Sequence, residues 1–323
     1  MTDLIYLILG IIGLYFGAEW LVGGSSKLAL KIGVSPLVIG LTVVALGTSA
    51  PELAVCLRLN LESRPDAALG NIVGSNICNI LLILGFSSLI RPLRVHRQII
   101  RKELPILLMV SFALIVMLIN EEVASWEGFI LSAGIVIYIL SSFKGANNGG
   151  EFKIEGESSS EVERGNNGAH NGIVLIAVLL AGLILLVLGA FFFEKGGIGL
   201  AKSFGVSEAV IGLTLLAFGT SLPEFATCLV ACIKNEGDII VGNAVGSSIF
   251  NVLAILGITA LFKPLSVNDI NLIDYSIMIG AVILCWVFVY RKMDLNRIKG
   301  LVFLGLYGAY ITCLLYTSPS PRD

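Results

Sequence analysis

Residues 39–57 read IGLTVVALGTSAPELAVCL, and residues 211–229 read IGLTLLAFGTSLPEFATCL. The same offset of 172 positions aligns Val34–Leu93 on Val206–Leu265 without a gap, with thirty-one of the sixty pairs identical. A second matched block sets GNIVGSNICNILLILG (70–85) against GNAVGSSIFNVLAILG (242–257). Chance likeness between two apolar segments preserves hydrophobic character, not individual polar residues. Here the polar residues recur one by one: Thr42/Thr214, Thr48/Thr220, Ser49/Ser221, Glu52/Glu224, Asn71/Asn243, Ser75/Ser247 and Asn79/Asn251. The chain carries a duplicated unit.

Composition places that unit in a membrane. Of 323 residues, 56% are hydrophobic and 14% charged, against about 25% charged in an ordinary soluble domain. Charge-free runs at 32–51, 67–90, 172–193 and 239–262 are each long enough to cross a hydrocarbon core of about 30 Å as a helix. Hydropathy and breakers together predict an all-α polytopic protein with ten spans, at 4–23, 36–59, 67–90, 103–120, 126–143, 172–193, 207–233, 238–262, 270–290 and 298–316. The polar, Gly/Ser/Asn-rich stretch 144–171 reads as a linker. It divides the chain into a first repeat (1–143) and a second (172–316), each of five helices. Residues 317–323 read as a non-native tail, and Met1-Thr2-Asp3 lacks the positive region of a cleaved signal peptide.

The formal net charge of −2 comes without a basic, aromatic-studded patch, which argues against a nucleic-acid partner. His96 and His170 fall in polar connections, and Cys56, Cys78, Cys228, Cys232, Cys285 and Cys313 fall in apolar stretches. The cysteines read as small packing residues rather than a redox or metal set. No cofactor is expected, nor any HExxH, GxSG or intramembrane Asp-pair chemistry of an enzyme.

Orientation follows from Lys and Arg. With the N-terminus outside, the inward connections hold fifteen: Lys27, Lys31, Arg91, Arg94, Arg97, Arg101, Lys102, Lys144, Lys153, Arg164, Lys234, Arg291, Lys292, Arg297 and Lys299. The outward ones hold Arg58, Arg64, Lys195, Lys202 and Lys263. That bias sets the N-terminus outside and the linker in the cytoplasm. Five spans is an odd number, so the second repeat enters from the opposite side. Inverted repeats of this kind place a substrate site near the midplane, where the copies meet.

Glu52 and Glu224 are the candidate centre of that site, because a carboxylate at membrane depth costs at least a few kcal/mol and faces a cavity or a partner. No cation sits at comparable depth; Arg58 is at a helix end. Ser49 and Glu52 share a helix face, as do Ser75 and Asn79, and the second copy repeats both pairs as Ser221/Glu224 and Ser247/Asn251. Pro51 and Pro223 free the carbonyls of Gly47 and Gly219, and local unwinding would free those of Ala45 and Ala217. Carboxylate, hydroxyl, amide and carbonyl oxygens suit calcium, with sodium on subsets of the same atoms. The absence of thiolate and imidazole disfavours zinc, copper and iron. Gly70, Gly74, Gly85 and their counterparts Gly242, Gly246 and Gly257 read as close-packing positions, and Thr42 and Asn71 as structural.

The GTSAPE and GNIVGSNICN blocks, repeated as GTSLPE and GNAVGSSIFN, resemble the cation/calcium exchanger superfamily, specifically its sodium/calcium exchanger branch. The resemblance implies that Glu52 and Glu224 are the shared calcium and sodium ligands. Thr48, Ser49, Thr220 and Ser221 would add hydroxyl or backbone oxygens, and Ala45 and Ala217 backbone carbonyls. Ser75 and Ser247 would complete flanking sodium sites, with Asn79 and Asn251 beside the central one. It further implies alternating-access antiport in a cell membrane, commonly three sodium ions entering per calcium extruded. The GTS triplet in both copies favours sodium coupling over proton/calcium exchange, the alternative. Asn251, where potassium-dependent relatives carry Asp, argues against potassium. The short linker excludes the calcium-sensing domains of animal relatives and suggests a prokaryotic source.

Overall fold

A computed structural model describes residues 2–147, 172–204, 217–267 and 272–317. These residues are almost entirely helical: α1 Thr2–Ile32, α2 Pro36–Thr48, α3 Ala50–Leu61, α4 Pro65–Ile90, α5 Ile99–Asn120, α6 Ser125–Asn147, α7 Gly172–Ser203, α8 Leu222–Ile233, α9 Gly237–Phe262, α10 Leu272–Lys292 and α11 Arg297–Thr317. Among the described residues eight helices are long and apolar enough to cross a membrane, and α2 with α3, bent by 42°, makes a ninth span if counted as one. The first part of the seventh expected span (207–216) lies outside the described residues, as do most of the expected linker and residues 318–323 of the tail.

Local chemistry sets the helix ends that matter. Ser35 caps α2, accepting Val38 N–H at 3.4 Å, with Pro36 in the first turn, where its missing amide hydrogen is not needed. Helix α2 ends at Thr48, and Ser49 (φ −84°, ψ 5°) leaves helical geometry. Helix α3 restarts with Pro51 in its first turn. The second copy does the same: Ser221 (φ −86°, ψ 4°) precedes α8, whose first turn holds Pro223. A proline is tolerated in a first turn but clashes inside a continuous helix, so each Pro selects a break one turn before its Glu.

Helices α1 and α7 extend well past the predicted limits, to 31 and 32 residues. At 1.5 Å per residue that is about 46 Å, so they tilt in or project beyond a hydrocarbon layer of about 30 Å. Hydropathy falls away near residue 23, but the true stop of α1 is Gly33 at φ +74°. There Val34 N–H reaches back to Ala29 O at 3.0 Å, the Schellman closure that glycine permits. The two long helices lie against each other through Gly10, Gly13 and Gly17 on α1 and Gly182, Gly189 and Gly196 on α7. A Cβ on Gly189 would stand 2.5 Å from Leu14 N. Small residues let membrane helices approach this closely where no hydrophobic drive exists.

The glycines flagged in the repeat behave similarly where their partners are described. Gly242 and Gly246 close on the backbone of Leu37 and Leu41, Gly85 on Phe303 and Gly300, and Gly257 on Ser132. The matching partners of Gly70 and Gly74 fall at 209–213, outside the described residues.

Four two-residue strands, not anticipated from the sequence, join the loops. β1 Leu93–Arg94 pairs antiparallel with β4 Asp294–Leu295, and β2 Glu122–Val123 with β3 Leu265–Ser266. The offset of 172 maps β1 onto β3 and β2 onto β4, so it extends past the aligned block into the connections before the last helix of each half. Each strand pairs with a strand of the other half, and never with its own counterpart. The β1–β4 loops gather Arg91, Arg94, Arg97, Arg291, Lys292 and Arg297, whereas the β2–β3 loops carry Glu121, Glu122 and Lys263. Near the β1–β4 strands, His96 Nε2 meets Asp238 at 2.8 Å. That hydrogen bond raises the imidazole pKa above its usual 6.5, against the opposing pull of partial burial.

Two outcomes follow. Gly189→Val introduces overpacking that typically costs about 1–3 kcal/mol, so the purified protein melts several degrees lower, as thermal unfolding in detergent will show. The raised His96 pKa means its ionic stabilisation is complete below pH 6.5 and fades as pH climbs through the folded-state value. His96→Gln therefore lowers the melting temperature more at pH 6 than at pH 8.5.

Candidate ion-binding site

The two helix breaks deliver Glu52 and Glu224 into the first turns of α3 and α8. There, amides without helical partners and the positive end of the dipole favour an anion. Both residues are 1% exposed, and their side chains contact each other. Among the described residues no Lys, Arg or His forms an ion pair with either.

The hydroxyls around them cross between halves. Ser49 Oγ donates to Glu224 Oε1 at 3.0 Å, whereas its counterpart Ser221 donates to Ser75. For each serine the spacing predicts a helix face shared with its own glutamate, but each sits at the break before the helix, and Ser49 serves the glutamate of the other copy. Thr48 Oγ1 donates to Asn243 Oδ1 at 3.1 Å and stands 3.5 Å from Ser247 Oγ. Thr220 Oγ1 donates to Asn71 Oδ1 at 3.2 Å, and Ser221 Oγ to Ser75 Oγ at 3.3 Å.

Behind this ring stand residues the sequence reading undervalued. Asn71 Nδ2 donates to Cys56 Sγ at 3.3 Å, and Asn243 Nδ2 to Cys228 Sγ at 3.5 Å. Those thiols donate in turn to Ala68 O and Ile240 O. Sulfur accepting from the amide nitrogen leaves the amide oxygen for the threonine. The signal was available: Cys56/Cys228 and Asn71/Asn243 are identical at the same offset. Thr42, by contrast, spends its hydroxyl on Val38 O of its own helix, 2.6 Å away, as a structural reading requires.

Asn79 and Asn251 sit one helical turn beyond Ser75 and Ser247. At these points α4 and α9 widen into π-helical turns, Cys78–Ile83 and Asn251–Leu256, a distortion common at functional sites. Helix α3 packs on the second of these turns and α8 on the first, so each glutamate helix lies against the asparagine turn of the other copy. The expected freeing of Ala45 by unwinding is not seen: its carbonyl accepts Ser49 N–H at 3.0 Å and the Thr48 hydroxyl at 3.4 Å. The break in the second copy is tighter. Ser221 N–H bonds Phe218 O at 3.1 Å; Ala217–Gly219 are helical, and the residues before Ala217 lie outside the described residues.

Four buried oxygens of this constellation lack any hydrogen-bond donor among the described residues: Glu52 Oε2, Glu224 Oε2, Asn79 Oδ1 and Asn251 Oδ1. A buried acceptor without a partner costs about 1–3 kcal/mol, more when charged. Acceptors alone, two of them carboxylate, are the donor set of a hard cation. Matching this geometry, the profile of the family described as sodium/calcium exchanger protein aligns with residues 2–144 and again with 174–316. The chain belongs to the sodium/calcium exchanger family. It is therefore an ion exchanger rather than an enzyme, and a polytopic membrane protein.

Full-length relatives agree with this membership. The inner membrane protein YrbG of Escherichia coli is 35% identical over 97% of both chains. The sodium/calcium exchanger MaX1 of Methanosarcina acetivorans is 30% identical over 98% of this chain and 99% of its own. A solved structure of the sodium-calcium exchanger NCX_Mj, soaked with zero Na⁺ and Ca²⁺, superposes with a TM-score of 0.82 at 31% identity, covering 97% of this chain and 99% of that one. The exchanger fold is thus common to both chains.

Two adjacent buried carboxylates repel when no cation separates them. In sodium-free, chelator-treated buffer Glu52→Gln therefore raises the melting temperature by roughly 2–4 °C. The same variant loses the upward shift that calcium gives the wild type through preferential binding to the folded state.

Proposed function

We propose that this exchanger couples sodium entry to calcium extrusion through a single cavity centred on Glu52 and Glu224. The observation that carries the reading is the set of four donor-less buried oxygens on the two glutamates and on Asn79 and Asn251. In the proposed site Glu52 and Glu224 bind every transported ion. Thr48, Ser49, Thr220 and Ser221 contribute hydroxyl or backbone oxygens, Ser75 and Ser247 flank the centre, and Ala45 and Ala217 offer carbonyls. For Ala45 that role requires a change at the break, because its carbonyl is already bonded. One Ca²⁺ neutralises the two carboxylates, as two Na⁺ do, so occupancy by calcium and by sodium is mutually exclusive. That exclusion is what converts a binding site into an antiporter.

The accompanying topology is ten spans in two inverted five-helix repeats, 1–143 and 172–316, with the cytoplasmic linker 144–171 between them and the N-terminus outside. The strand pairs favour inversion: β1 joins β4, the counterpart of β2, which brings non-equivalent loops of the two copies to one surface. The arginine-rich loops gathered at the β1–β4 end favour that end as cytoplasmic. The membrane is the cell or inner membrane, the substrates are calcium and sodium, and residues 317–323 play no part.

One observation favours a second reading, proton/calcium exchange. Two carboxyl groups buried side by side, with no cationic partner among the described residues, can also be neutralised by protons. Reconstituted vesicles separate the two. An imposed sodium gradient with pH clamped on both sides drives ⁴⁵Ca²⁺ uptake, and Glu52→Gln or Glu224→Gln abolishes it. Uptake that ignores sodium and follows a pH gradient rejects sodium coupling, and calcium flux without any counter-ion gradient rejects exchange altogether.

A further inference from the structure

The two asparagines of the proposed site are equivalent in sequence, but their surroundings differ. Asn251 Nδ2 donates to Asn76 Oδ1 at 2.9 Å, and Asn76 Nδ2 faces Met278 Sδ of α10 at 3.7 Å. All three side chains are at most 2% exposed. The chain of bonds has one direction. A thioether only accepts, so Met278 turns the amide nitrogen of Asn76 toward itself and leaves Asn76 Oδ1 for Asn251. That oxygen only accepts as well, so it takes the Asn251 nitrogen and turns Asn251 Oδ1 away. This oxygen is the one without a donor.

The opposite half cannot repeat the arrangement. The offset of 172 puts Ser248 at the place of Asn76 and Ile106 at the place of Met278. Ser248 spends its hydroxyl on its own helix, donating to Ala244 O at 2.9 Å, and an isoleucine has no acceptor. Asn79 is therefore without the latch that Asn251 has.

We propose that Asn76 is a positioning residue that fixes the Asn251 amide with its oxygen presented to the transported cation, making the Asn251 side of the cavity the pre-organised subsite. The inference rests on the ion-exchange reading above. It deepens that reading by naming which of two homologous amides is locked as a ligand, and by what. Asn76 touches no ion; it acts through Asn251. A ligand held in the binding rotamer loses less freedom on binding, so the latch shows in ion affinity rather than in turnover.

The informative variant is Asn76→Ser, because serine at the equivalent position is accommodated and bonds its own helix. In vesicles it raises the KM for calcium roughly three- to tenfold, the scale of one net hydrogen bond, with kcat little changed. The decisive comparison is a double-mutant cycle: in an Asn251→Ala background, Asn76→Ser has no further effect on KM. If Asn76→Ser fails to fold, Met278→Leu keeps the packing and removes the sulfur acceptor. It then shifts KM in the same direction by a smaller factor. An unchanged KM in these variants, or fully additive effects in the cycle, overturns the proposal while gradient-driven flux in the wild type leaves exchange standing. Absence of that flux in the wild type overturns both.

Discussion

Two carboxylates forced into contact away from water, with no cation among the described side chains to pair with them, set the terms for the rest of this molecule. Burying even one such charge is expensive, and the fold devotes its most unusual features to making two tolerable. Each glutamate occupies the first turn of a helix that begins at the site, in the field of its own amides. Glu224 accepts a hydrogen bond from Ser49 of the opposite copy. The prolines that follow those serines fix where the helices restart and so fix the depth of the acids. What the described residues leave unmet is a set of acceptor oxygens, which in the proposed site a divalent ion or a pair of monovalent ions completes.

The support for that centre is layered and mostly cross-repeat. Thr48 and Thr220 are held by Asn243 and Asn71, and those amides are oriented by Cys228 and Cys56. Cysteine serves here as a soft acceptor that decides which way an amide points, a role that neither redox chemistry nor simple packing describes. The same logic, with Met278 in place of a thiol, orients Asn76 and through it Asn251.

Much of this was legible in the sequence. The recurrence of particular polar residues at a fixed offset identified the duplicated unit, and every site residue named from it lies in α2–α3 and the break between them, in α8 and residues 217–221 before it, or in α4 and α9. Other features were not legible, for specific reasons. Hydropathy ends α1 near residue 23 because it scores lipid affinity, whereas the helix ends where Gly33 permits a left-handed turn. The i, i+3 spacing of Ser49 and Glu52 gives a shared face but says nothing of which glutamate the serine serves. Two-residue strands have no periodicity to detect. Ala45 was expected to offer a carbonyl freed by local unwinding, but the helix leaves its geometry only at Ser49, whose amide still reaches back to it.

The crossed strand pairs carry a consequence for either half taken alone. Since β1 needs β4, β2 needs β3 and Ser49 serves the other copy's acid, a solitary half of the proposed topology would expose raw sheet edges and strand its carboxylate without a mate. In that topology such a half is complete only beside an inverted twin, so the single chain carries the seam that an antiparallel homodimer of one half would have.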